Sequence, residues 1–222
     1  SSSSAASDVY KRQEQVNGIP FWVMKEGRKR LTEFMEIPSI EQEISKEELE
    51  DASLNHDRMI KVLAELGQQM GYDIWIGETE QNKNPELKKI VTVADLQISG
   101  VDQIVLERLR EVDVIWLIRK SIPTVLLEVE HTTNIRSGIE RTSNISEVLP
   151  HLRVKVVIVI PDGKFRHFKN VLNEPVFKKL TKSLDLYSAT YSTVTATHDQ
   201  IIEHGYVYDL EDWISETSKK AE

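Results

Sequence analysis

The chain has 222 residues, 40% of them hydrophobic and 29% charged, a formal charge of −8 and no cysteine. This is globular composition of about one and a half average domains, which excludes a disordered chain. No run approaches the ~20 apolar residues of a membrane span, thiol chemistry and Cys-ligated metals are excluded, and any nucleic-acid surface must be local.

Residues 1–13, SSSSAASDVYKRQ, lack the apolar centre of a secretory signal and read as linker or adapter sequence, with native chain expected upstream. Asn17-Gly18 is a turn signal. Residues 21–24 (FWVM) read as a short strand, and 26–34 as a short basic helix with Leu31, Phe34 and Met35 on one side. Residues 37–53 hold Pro38 and the acids Glu41, Glu43, Glu47, Glu48, Glu50 and Asp51, a charge run that marks a linker.

The main domain is expected over 54–210. Met59, Val62, Leu63, Leu66 and Met70 predict a helix over 57–70, with Asn55 as N-cap and Gly71 as its stop. Strands are predicted at 72–77, near 89–94, at 112–118 and at 124–131, with 78–84 as a loop. The last two strands are joined through Ser121-Ile122-Pro123, a connection short enough for a hairpin. A helix over 137–149 follows, then a buried strand at 154–160 ended by Pro161-Asp162-Gly163. The remaining predictions are a helix over 168–180 that Pro175 can split, a strand at 184–190, a helix over 197–204 and a polar tail at 211–222. Crossovers through helices imply an α/β domain with a mixed β-sheet flanked by helices on both faces.

Charge inside the best strands is the anomaly. Asp113 sits in VDVIWLI, and Glu128 and Glu130 in TVLLEVEH. Residues i and i+2 of a strand share a face, so the two glutamates project together, and hairpin pairing brings Asp113 beside them. Two like charges ~4 Å apart repel by roughly 4 kcal/mol at an effective dielectric near 20, so the arrangement needs compensation. A hard divalent cation such as Mg²⁺ or Mn²⁺ supplies it with oxygen ligands. The alternatives are ion pairs with Arg119, Lys120, Arg136 or Arg141, or a sheet face open to solvent.

These residues resemble the PD-(D/E)xK, or restriction-endonuclease-like, nuclease superfamily, whose core is a helix, a hairpin bearing the acids, a helix and a strand. The order matches 54–190. Asp113 matches the first acid and Glu128 the (D/E), while Glu130 stands where Lys is usual, and Val112 rather than Pro precedes Asp113. The string LLEVEHTTNIRSGIERTSNI also resembles the block EVEHTTSIxSGLxRMxDL of uncharacterised restriction-like proteins. FWVMKEGRKRL resembles the wing strand and final helix of a winged-helix domain, so 14–36 is a candidate remnant of one.

The superfamily resemblance implies a Mg²⁺-dependent endonuclease, with Mn²⁺ as an alternative ion, that hydrolyses DNA in restriction or defence. It implies a cytoplasmic homodimer with no membrane partner, in keeping with the lack of cysteine. Asp113 and Glu128 would hold the metal with the Val129 carbonyl, and Glu130 would orient or deprotonate the attacking water. Arg136 or Arg141 would stabilise phosphate charge. Between His131 and Lys182 ten basic residues face four acidic ones, and Lys164 and Arg166 are the phosphate contacts chosen from them. Glu65 on the first helix and His131 are accessory candidates, although Glu65 reads more readily as an ordinary exposed glutamate and His131 as a hydrogen-bonded structural histidine, and His56 reads as a surface residue. The competing reading is a catalytically degenerate module of the same fold that binds DNA or a protein without cleavage, which Glu130 and the net acidity favour. A third reading, an α/β metabolic enzyme, lacks any Walker or Rossmann glycine spacing.

Overall fold

The computed structural model describes residues 11–16, 19–24, 46–131, 135–148, 154–180, 184–205 and 208–220. The chain divides into two compact units, 1–48 and 49–222. In the first, β1 (Lys11–Val16) and β2 (Ile19–Met24) pair antiparallel, with Val16 opposite Ile19. The strand expected at 21–24 is present. Lys11, Arg12 and Gln13, expected as linker, pair with it. The expected turn at Asn17-Gly18 and helix over 26–34 lie outside the described residues.

The second unit is built on a six-stranded sheet. Its strands are β3 (Asp73–Ile76), β4 (Val114–Ile118), β5 (Ile122–Val129), β6 (Lys155–Ile160), β7 (Asp185–Thr190) and β8 (Ser218–Lys220). They lie side by side in chain order. The β3–β4, β4–β5 and β7–β8 pairs are antiparallel, and β5–β6 and β6–β7 are parallel. The mixed sheet of the α/β expectation is therefore present.

Helices cover both faces because the strands alternate between two cores. Ile115, Leu117, Leu126 and Val156 face one core with α4 (Gln103–Arg110), α5 (Ile135–Val148), α6 (Phe165–Leu172) and α7 (Pro175–Leu180). Val114, Trp116, Val125 and Leu127 face the other with α1 (Lys46–Gln69), α8 (Tyr191–His204) and α9 (Leu210–Thr217). Trp116 is fully buried, and its indole N–H donates to the Leu63 carbonyl of α1 at 3.0 Å, so the one polar atom of this large side chain is satisfied.

Four differences from the sequence reading have local causes. Helix α1 starts at Lys46, inside the expected linker, because an acid-rich segment is favoured in a helix's first turns. Residues 78–90 form α2 (Glu78–Lys83) and α3 (Pro85–Ile90) instead of a loop and a strand. Asn84 caps α3 by accepting from the Glu86 N–H, and Pro85 suits its first turn. Helix α8 begins at Tyr191, capped by Thr190, rather than at 197. The expected polar tail carries α9 and β8, and Trp213 is fully buried. Pro175 does split the helix over 168–180, into α6 and α7. No helix among the described residues is long and apolar enough to cross a membrane.

Candidate active site

Leu126 of β5 points into the core beneath α5, so Glu128 and Glu130 emerge on that face one and two alternations later. The β4–β5 register pairs Val114 with Leu127. One step further sets Asp113, at the mouth of β4, opposite Glu128. Asp113 Oδ2 accepts from the Val129 N–H at 2.7 Å, and the Glu130 N–H donates to the Val159 carbonyl at 2.8 Å. Glu128 is 1% exposed and Asp113 and Glu130 are each 8% exposed. The three carboxyl groups, Val129 and His131 line one cavity of about 480 Å³.

Helix α5 closes one wall. Its first four N–H groups have no partner within the helix, and that of Gly138 donates to the Glu130 carboxylate. A Cβ at Gly138 would lie 2.5 Å from Glu130 Oε1, so any larger residue here would push that carboxylate aside. One turn on, Arg141 Nη1 donates to Glu128 Oε2 at 3.0 Å, to Oε1 at 3.3 Å and to the Glu111 carbonyl at 3.1 Å. Arg141 is partly exposed and forms its ion pair with Glu128.

Helices α1 and α2 supply the opposite wall. His56 Nε2 is 3.6 Å from Asp113 Oδ2, and its Nδ1 is 3.8 Å from Glu80 Oε2 and 3.9 Å from Asp57 Oδ1. Sequence reasoning places His56 on the surface and omits Glu80 altogether. His56, Asp57 and Glu80 offer ligand atoms within 4.8 Å of one another, a second group able to hold a cation. Lys83 already pairs with Glu80 at 2.9 Å.

Burial, and then the charge of Asp113, push the Glu128 carboxyl well above the usual range, against the pull of Arg141. The same two causes, opposed by Arg141 and His56, bring Glu130 to about 7. Burial disfavours the His56 imidazolium, but the surrounding carboxylates outweigh it and raise its pKa. Burial lowers that of His131, whose ring lies 6.2 Å from Tyr191 and whose Nδ1 is buried without a hydrogen-bond partner among the described residues. A buried set of oxygen donors whose charges repel one another suits a hard divalent cation.

The other chosen residues lie elsewhere. Arg136 pairs with Glu174, outside the cavity lining. Lys164 and Arg166 are exposed at the start of α6. Glu65 accepts from His198 of α8 at 3.0 Å, away from the acids. Arg119 and Lys120 turn the chain at the far end of the hairpin, with φ of 53° and 60°.

An α/β sheet with an acidic cleft at one end of a hairpin is thus the frame of this molecule. A family model for the type II restriction enzyme NmeDI C-terminal domain matches residues 36–217, and the chain belongs to that family. It is also 30% identical over 149 residues to the type II restriction enzyme NmeDI of Neisseria meningitidis serogroup C. That match takes in 63% of this chain and 42% of the relative. No solved structure matches the chain.

Proposed function

We propose that this domain is a Mg²⁺-dependent endonuclease of restriction type that hydrolyses phosphodiester bonds of duplex DNA, on a restriction-endonuclease-like fold of the PD-(D/E)xK superfamily. The observation that carries the reading is the convergence of Asp113, Glu128 and Glu130 in one cleft. Membership in the NmeDI C-terminal family supports it. Asp113 and Glu128 would hold the cation, with the Val129 carbonyl as a candidate further ligand. When bound, the cation polarises the scissile phosphate and makes a water easier to deprotonate. Mn²⁺ satisfies the same oxygen donors. Glu130 takes the proton of the attacking water as its oxygen bonds to phosphorus and the bond to the leaving sugar oxygen breaks, and that oxygen takes up a proton from solvent. A carboxyl that titrates at about 7 is matched to that task. Arg141, tethered to Glu128 yet partly exposed, stabilises charge on the phosphate. A single centre cuts one strand at a time, so cleavage of both strands in one event would take two copies of the chain.

The Arg141–Glu128 ion pair favours a second reading, in which the guanidinium permanently neutralises the site and the domain binds DNA without cutting it. Plasmid cleavage separates the two. The wild-type protein is expected to nick and linearise plasmid with Mg²⁺ or Mn²⁺ and to leave it intact with EDTA. Glu128→Gln lowers the rate by about a thousandfold or more, the order expected when a metal's transition-state stabilisation is lost. Metal-independent binding with no cleavage under either ion selects the second reading.

A further inference from the structure

A second cavity, of about 320 Å³, opens between α6 and β8. Phe165, Lys169, Asn173, Ser188, Lys219 and Lys220 line it, and among the described residues no carboxylate does. The ammonium groups of Lys169 and Lys219 each lie 5.2 Å from the centroid of the Phe165 ring. Lys220 is paired with Asp185 at 3.0 Å. Among the described residues neither Lys169 nor Lys219 has a carboxylate partner. Two cations gathered on one ring beside amide and hydroxyl groups form a receptor for an anion.

The sheet register fixes where that receptor stands. Glu128 pairs with Ile158, Ile158 with Ser188, and Ser188 with Lys219. These four residues form one row across the sheet, and paired residues share a face. Three strand spacings of ~4.8 Å put the Lys219 backbone about 14 Å from that of Glu128.

We propose that this pocket takes a further backbone phosphate of the duplex whose scissile phosphate sits at the acidic cleft, with Lys169 and Lys219 as its cations. The placement rests on the nuclease reading, but binding and cleavage are measured separately. The full chain is titrated with fluorescein-labelled duplex DNA in EDTA, where no cutting occurs, at several NaCl concentrations. The Lys169→Ala/Lys219→Ala double variant is expected to bind roughly tenfold more weakly, with the slope of log affinity against log salt shallower by about one, the loss of one neutralised phosphate. The Lys169→Arg/Lys219→Arg variant restores both, and all variants keep the wild-type melting temperature. Unchanged affinity and salt slope in the alanine variant overturns the proposal, as does a wild-type protein that fails to bind the duplex. Weakened binding by the alanine variant in a protein that never cuts DNA leaves the pocket standing and removes only the cleavage reading.

Discussion

Glu130 shows how a single side chain ties the cleft to the acidity of the medium. Its carboxyl titrates near 4.5 when unconstrained and at about 7 in the fold, through burial and the neighbouring Asp113 charge. Between those values the native protein retains a proton that the unfolded chain has released, so its metal-free stability falls as pH rises through this window. The full shift is on the order of 3 kcal/mol. Glu128, raised in the same direction, adds to the trend. Thermal denaturation in EDTA is expected to show the wild-type melting temperature falling from about pH 5 to about pH 8. Glu130→Gln should flatten that fall and melt higher than wild type at the upper end. The three acids were legible because strand alternation and a hairpin suffice to bring them together. His56 and Glu80 were not, since they reach the cleft through the packing of α1 and α2 against the sheet edge, which no local spacing records. Gly138 stands within the motif of the sequence, yet its reason, the close approach to Glu130, exists only in three dimensions.

At the scale of elements, α1 lies unusually close to the sheet. A Cβ at Gly67 would lie 2.5 Å from Trp116 Nε1 and 2.6 Å from Ile74 Cδ1. Gly67→Ala would gain about 1 kcal/mol of helix propensity, but overpacking of this kind costs about 1–3 kcal/mol, and the rigid indole leaves little room to yield. A net loss of about 1 kcal/mol or more in urea denaturation is expected. A more stable variant would mean that α1 does not seat on Trp116 as described. The hairpin and the parallel β5–β6–β7 core could be read because their apolar runs are long. Helix α9 was missed although Leu210, Trp213, Ile214 and Thr217 follow helical spacing; the surrounding acids masked it. Strand β8, Ser-Lys-Lys, has no strand propensity of its own and exists through pairing with β7.

For the whole molecule, the cleft and the fold share one equilibrium. A ligand that binds only the native state stabilises it by RT ln(1 + [L]/Kd), about 2.7 kcal/mol at a hundredfold excess over Kd. Mg²⁺ should therefore raise the wild-type melting temperature by several degrees at about pH 8, where protons compete least for the carboxylates. It should leave Glu128→Gln unmoved. An equal shift in both proteins would show that the ion acts away from Glu128, at His56, Asp57 and Glu80 or outside the cleft.

The outer rim of the sheet has a consequence for life in a crowded solution. Strand β8 is three residues long, and two of them are lysines. A border of unpaired amides invites any passing extended chain to zip onto it, and brevity together with positive charge is a standard defence against such fibre-forming association. Neutralising both lysines would therefore remove a safeguard that keeps newly made copies apart while they mature.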